Sequence, residues 1–328
     1  MTRGKQIFTL FVTVVFFAAF NLSLYTLFTR RLSNNFSGAT QAQMVEVARY
    51  LPHAEGSDLP DISTDLRLSG DLPVLDGAAA LVPVYAAVID TVYPEGCVTF
   101  EGGAFSDDNF YGENFSDDSA MQYNNTVRGY QAVVDGTTDI FLSAAPSEAQ
   151  KQYAEEKGVE LQFVPIGLEA FVFFVNQNNP VDNLTADQIR KIYAGEYKNW
   201  SDVGGANRIM NPITRLEGSG SQTAFEGFMG DCKIGQKSPF AIAGASIGFS
   251  FRYYMEGMVA NEKVKMLSLN GVYPSAENIR SRSYPIVTEF YAVYRADNDN
   301  KNIPALIDWL LSKEGQKLIE ESGYVPIA

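Results

Sequence analysis

Beyond residue 71, short apolar runs alternate with amphipathic stretches along almost the whole chain. LPVLD (72–76), CVTF (97–100), DIFLSA (139–144), LQFVPI (161–166) and AFVFFVN (170–176) are rich in β-branched and aromatic residues and bounded by polar ones, so they read as buried strands. NPITRL (211–216), SIGFSF (246–251), KVKMLSL (263–269) and FYAVYR (290–295) follow the same pattern. Helical spacing runs over 79–92, near 126–134, through TADQIRKIYAG (185–195) and from Ser221, and the chain closes on a helical tail, ALIDWLLSKEGQKLIEESG (305–323). This alternation predicts an α/β architecture with largely parallel strands.

The first 71 residues follow other rules. From 7 to 29 no side chain is charged, and at about 1.5 Å per residue the stretch spans roughly 34 Å, enough to cross a bilayer core of about 30 Å. It is predicted to be a membrane anchor, with a cleaved signal peptide as the alternative. Arg3 and Lys5 before it and Arg30 and Arg31 after it leave its orientation undecided. Residues 30–71, rich in Pro, Asp and Ser with one short amphipathic helix near 41–51, read as a stalk or linker.

Composition removes several function classes. Of 328 residues, 46% are hydrophobic and 20% charged, enough for a real core. Lys and Arg number 25 against 39 Asp and Glu, a net charge of −14 with no basic patch, which excludes nucleic-acid binding by phosphate neutralisation. A single histidine, His53, and two cysteines, Cys97 and Cys232, leave no ordinary zinc site and few catalytic dyads.

Two motifs imitate chemistry without completing it. In the acidic insertion SDDNFYGENFSDDS (106–119), Tyr111 occupies a calcium-ligand position and the bidentate Glu is missing, so a solvated loop is expected. Gly244-Ala245-Ser246-Ile247-Gly248 matches a nucleophile elbow. However, no histidine follows it, and the residues after Ser246 read as a strand where the elbow needs a helix.

A third pattern suits an anion. In Thr214-Arg215-Leu216-Glu217-Gly218-Ser219-Gly220-Ser221 a strand end and a Gly/Ser turn lead into a helix, whose free N–H groups and dipole favour negative charge while Arg215 can supply a forked pair. A plain Ser-capped helix is the other reading of the same residues. Asp76-Gly77-Ala78-Ala79-Ala80 and Asn124-Asn125-Thr126 are further turns of this kind, and three such starts could converge on one small anion in a cleft.

With these blocks in view, the chain resembles the phosphate-binding proteins of ABC importers, the PstS-like group, over most of 72–328. The matches are R-L-E-G-S-G-S (215–221), D-G-A-A-A-L-V-P-V-Y (76–85), D-I-F-L-S-A-A-P-S (139–147), L-T-A-D-Q-I-R-K-I-Y-A-G-E-Y-K-N-W (184–200), G-V-Y-P-S-A-E-N-I-R-S-R-S-Y-P (271–285) and W-L-L-S-K-E-G-Q-K-L-I-E-E-S-G-Y-V-P (309–326). The resemblance implies a two-lobed, periplasmic-binding-protein-like (type II) α/β fold. In it, 72–165 with 289–328 form one lobe and 166–288 the other, joined by hinge crossovers at 167–175 and 289–295. Cys97 and Cys232 then fall in different lobes and are expected to be unpaired.

The family's oxyanion contacts fall on Ala79, Ala80, Thr126, Arg215, Ser219, Gly220 and Ser221. There are three departures. Ala79 stands where the family commonly has a hydroxyl, Ala144 where some members carry a ligand-binding acid, and Gln222 where many have a second Arg. The implied function is capture of phosphate or a related oxyanion outside the cell for an importer's membrane subunits, by a membrane-anchored monomer with no cofactor, metal or catalytic residue. The alternative is a non-transport sensor or interaction domain with the same fold and a weakened pocket.

Overall fold

The computed structural model describes residues 45–105, 111–215, 217–235, 245–260 and 262–327. Strand β1 (Leu75–Gly77) leads through a 3-10 turn (Ala79–Leu81) into α1 (Val82–Val92), whose first turn accommodates Pro83 because no N–H is needed there. The hairpin β2 (Phe100–Phe105) and β3 (Tyr111–Phe115) precedes α2 (Asn125–Asp135), β4 (Ile140–Ala144), α3 (Glu148–Lys157) and β5 (Leu161–Asn176). Next come β6 (Asn183–Leu184), α4 (Ala186–Ala194), β7 (Met210–Pro212), α5 (Gly220–Met229), β8 (Ala245–Phe251) and a π-helical turn (Tyr254–Val259). β9 (Val264–Met266), β10 (Ser268–Leu269), α6 (Ala276–Arg280), β11 (Val287–Arg295), α7 (Asn302–Leu310) and α8 (Lys313–Glu321) complete the described chain.

The main sheet has the order β1-β4-β11-β5-β8-β7, with β9 also pairing β5. Only β1 with β4 and β7 with β8 are parallel in it, and β4/β11, β11/β5, β5/β8 and β5/β9 are antiparallel. The expected largely parallel sheet is therefore a mixed one. An apolar run marks a buried strand without marking its direction. LQFVPI and AFVFFVN, expected as two strands, form one: residues 161–170 of β5 pair with β11 and 171–176 with β8 and β9. That shared strand carries the ladder from one half of the sheet into the other.

CVTF is not a strand of the main sheet. Strand structure begins at Phe100, and β2 pairs with β3, which lies within the insertion, as a separate hairpin. Residues 106–110, which hold much of the calcium-like loop, lie outside the described residues, and among the described residues no cluster of His, Cys, Asp or Glu could hold a metal. The helical tail is broken in two where Ser312 caps α8. Cys97 and Cys232 are both free thiols.

The expected stalk is corrected from Val45 onward. Val47, Tyr50, Ile62 and Leu68 are buried in the main core, and among the described residues of the helix expected near 41–51 Val47–Tyr50 form a 3-10 turn. The Leu68 N–H donates to the Val92 carbonyl at 2.8 Å, and the Trp309 indole N–H donates to Thr64 Oγ1 at 2.9 Å. The segment's scattered apolar residues are removed from water in that core, and its hydrogen bonds to Val92, Trp309 and Glu314 tie it to α1, α7 and α8. Among the described residues no helix is long and apolar enough to cross a membrane, and the predicted span 7–29 lies outside them.

An aromatic cluster fixes the part of the fold that holds the site. Phe225 of α5 stacks on Phe249 of β8 with ring centroids 4.3 Å apart and planes 6° apart, and Tyr193 of α4 closes over Phe225 at 4.5 Å. Phe225 and Phe249 are buried, and burying such rings contributes about 1.5–3 kcal/mol each. Opposite, a register irregularity in β11 between Phe290 and Tyr291 turns Phe290 toward Gly167, where any Cβ would stand 2.3 Å from the ring.

Candidate functional site

Three chain turns meet beside the crossing strands. In the first, the Ala78 N–H donates to Leu142 O at 2.8 Å, fixing the 3-10 turn Ala79–Leu81 to β4. In the second, Asn124 precedes α2 yet caps nothing, because its Nδ2 donates to Asp76 Oδ2 at 2.8 Å and its backbone N–H to Asp76 Oδ1 at 3.0 Å. Asn125 then takes a left-handed φ of 61°, and its Oδ1 accepts the Thr126 N–H at 2.7 Å.

The third turn is the Gly/Ser loop before α5. Ser219 Oγ accepts the Gln222 N–H at 3.3 Å as an N-cap. Gln222 is itself buried: its Oε1 accepts the Arg215 N–H at 2.9 Å and its Nε2 donates to Glu226 at 2.9 Å. The side chain of Gln222 thereby ties the Arg215 backbone to the helix. Arg215 Nη1 is buried with no hydrogen-bond partner among the described residues, an arrangement that calls for an acceptor.

Ala80, Thr126 and Gly220 line one cavity with Gln150 and Thr223. It encloses about 40 Å³, room for a small ion, since one water needs roughly 10–15 Å³. Of the other residues singled out from the sequence, Ala79, Arg215, Ser219 and Ser221 are not in its lining. Ala144 is in the wall and offers no acid there. The walls also include Leu81, Phe251, Phe290 and Tyr324, whose hydroxyl donates to the Ala80 carbonyl.

Two carboxylates line the same cavity, Glu169 on β5 and Glu289 on β11. Neither was singled out from the sequence, although a lone charge inside the apolar run around 169 was a usable signal. Glu169 is buried, which pushes its pKa from 4.5 up to about 7 against the opposing pull of Arg252 and the Ala170 and Tyr253 N–H groups. Asp76, just behind the cavity, is also buried, and desolvation raises it from 3.8 to about 6 despite the bonds from Asn124 and Gly77. Its two oxygens join the turn before α1 to the start of α2.

Ser246 and His53 lie elsewhere. Ser246 sits within β8, its Oγ accepting from Asn211 Nδ2 at 3.0 Å, and the His53 ring faces Asp90 at 3.6 Å.

A mixed sheet crossed by a shared strand, with a small cavity ringed by chain turns at helix starts, defines a mixed α/β architecture of the periplasmic-binding-protein kind. The chain belongs to the PBP superfamily, whose domain it matches over residues 108–314. It is similar to the phosphate-binding protein PstS of Bacillus subtilis, 26% identical over 231 residues that cover 66% of this chain and 74% of that one. Among solved structures it shares its fold with a candidate phosphate ABC transporter substrate-binding protein from Clostridium perfringens, determined with bound phosphate, at a TM-score of 0.57 and 22% identity over 78% of this chain and 99% of that one. An ABC-type phosphate transport receptor from Vibrio cholerae aligns at a TM-score of 0.52 and 20% identity, covering 77% and 99%.

Proposed function

We propose that this protein is an extracytoplasmic solute-binding protein that captures phosphate, or a closely related small oxyanion, and delivers it to the membrane subunits of an ABC importer. The observation that carries the reading is the meeting of Ala80, Thr126 and Gly220, from three separate chain turns, on one cavity of ion size. Oriented N–H groups at helix starts stabilise an anion without any net positive charge on the protein, which suits a chain of net charge −14. The names of the relatives and the bound phosphate in the Clostridium perfringens structure support phosphate as the ion.

In this reading Ala79, Ala80, Thr126, Arg215, Ser219, Gly220 and Ser221 surround the ligand. Ala79, Arg215, Ser219 and Ser221 reach it when the two lobes, 72–165 with 289–328 and 166–288, close about β5 and β11. The protein works as a monomer and by binding, without catalysis. Segment 7–29 holds it to the membrane with the body outside, or is removed to release it.

A second reading, a surface sensor or interaction domain with a weakened anion pocket, draws on one observation: among the described residues the cavity's lining includes two glutamates and no Lys or Arg. Titration calorimetry with phosphate separates the two. Micromolar or tighter binding is the result expected of a transport protein, and no heat with phosphate, sulfate or molybdate is the result expected of the sensor.

A further inference from the structure

The wall of an anion cavity is a costly place for a carbonyl oxygen that lacks a donor, because its partial negative charge then faces the ion. Ala80 sets that problem here, since it lines the cavity from the 3-10 turn that leads into α1. In such a turn the carbonyl of one residue accepts the N–H three residues on, as the Ala79 carbonyl accepts the Val82 N–H. For Ala80 the residue three on is Pro83, which has no N–H, and the bonds of α1 start only at its N-cap, Leu81. The donor comes instead from the end of the chain: the Tyr324 hydroxyl bonds the Ala80 carbonyl across a separation of 244 residues.

Tyr324 is held for this bond on several sides. Its own N–H donates to the Ile319 carbonyl at 3.1 Å, and its neighbour Val325 exchanges two hydrogen bonds with Leu168 of β5, at 2.7 and 3.2 Å. Its ring packs on Tyr253 with centroids 4.8 Å apart and on Phe290 at 5.2 Å. Gly323, before it, has a φ of 91°, and the Tyr253 ring fills the space that a Cβ there would occupy. The Gly323 carbonyl accepts Arg252 Nη2 at 2.6 Å. Tyr324 is buried, which pushes the pKa of its hydroxyl well above the ordinary value, so the group keeps its proton and the bond runs from hydroxyl to carbonyl.

We infer that Tyr324 is a positioning residue for the bound oxyanion: its hydroxyl satisfies the Ala80 carbonyl, so that the turn Ala79–Leu81 meets the ion with its N–H groups and not with an unpaired oxygen. This rests on the oxyanion reading of the cavity. The first N–H groups of a helical turn have no acceptor within it and suit an anion, provided no bare carbonyl competes for the same space. A phenol fits the task because it brings a donor without a charge, on a ring whose packing leaves the hydroxyl few directions to take. Val325 and Gly323, on either side of it, tie Tyr324 to β5 and to the residue after β8, so the turn before α1 is set in register with the strands beside the cavity.

The test is phosphate calorimetry on the full chain, well below the melting temperature, with Tyr324→Phe, which keeps the ring and removes the hydroxyl. Leu68→Ala, which opens a hole in the core outside the cavity lining, is the control for lost stability. Tyr324→Phe is expected to bind phosphate roughly tenfold more weakly than wild type, while Leu68→Ala keeps the wild-type affinity. A merely structural role would lower the melting temperature of Tyr324→Phe and leave its affinity equal to that of Leu68→Ala, and that result overturns the inference. A crystal structure of the unaltered chain with phosphate gives a second measurement, so a poorly folding variant does not decide the outcome. There the Tyr324 hydroxyl is expected to stay on the Ala80 carbonyl, with an N–H of Ala79 or Ala80 donating to the ion. A hydroxyl turned onto the ion would make Tyr324 a ligand and overturn the inference, leaving the oxyanion reading standing. Absence of phosphate binding by the wild type removes both.

Discussion

Thr126 and Gly220 face each other across the cavity: a Cβ added to Gly220 would stand 3.8 Å from Thr126 Oγ1 and 3.9 Å from the Phe251 ring. That spacing is ordinary contact, so the fold itself has room for a Cβ at the start of α5. Gly220→Ala is expected to fold with unchanged or slightly higher stability, since Ala is the better helix former, and to bind phosphate about tenfold more weakly. Gly218 is the contrasting case. Its φ of 77° and the Val127 methyl at 3.1 Å make Gly218→Ala costly to the fold itself, by about 1 kcal/mol or more. Thermal melts beside titrations distinguish the two.

Arg215 is predicted to dominate affinity, because its buried Nη1 has no acceptor among the described residues and an anion would supply one. Arg215→Ala is expected to cost about 1.5–3 kcal/mol, roughly ten- to hundredfold in phosphate affinity. Lysine should recover only part, having no planar fork. Ser246→Ala, whose hydroxyl is paired with Asn211 on β7, should leave the isotherm unchanged.

Loss of Asp76 should loosen two turns at once. Its oxygens accept three donors, from Gly77 and Asn124, and an Asn side chain offers one oxygen in place of two. Asp76→Asn is expected to destabilise the fold by about 1–3 kcal/mol and to weaken phosphate binding through the misplaced start of α2. The pH dependence has a definite sign. Folded-state values of about 6 for Asp76 and about 7 for Glu169 lie above the ordinary 3.8 and 4.5, so the folded protein holds these protons more tightly. Their contribution to stability is complete below about pH 4 and is lost as pH rises through 6 and 7. The melting-temperature difference between wild type and Asp76→Asn should therefore shrink as pH rises over that window.

What the sequence revealed divides by the range of the interactions. The Ser219 cap is decided within four residues, and α5 and α4 lie where the pattern placed them, whereas α3, capped by Ser147, was not anticipated. Asn124 looked like a cap of the same kind, but its partner is 48 residues away on β1. Strand direction, the fusion of 161–176 into one strand and the burial of Glu169 all depend on neighbours distant in the chain, which local periodicity does not encode. Likewise, nothing local in 45–71 announces that Thr64 meets Trp309.

That segment supplies a further prediction. Leu68 is buried in the core, so Leu68→Ala should cost about 2–5 kcal/mol, a loss that a free linker would not show in a denaturant titration.

The central claim, that a single oxyanion sits where Thr126 and Gly220 meet, is tested most directly by crystallising the protein with arsenate and locating the arsenic from its anomalous signal. One strong peak is expected within hydrogen-bonding distance of Thr126 and the first turn of α5, with the Arg215 guanidinium turned toward it. A peak away from both residues, or none at saturating arsenate, would contradict it.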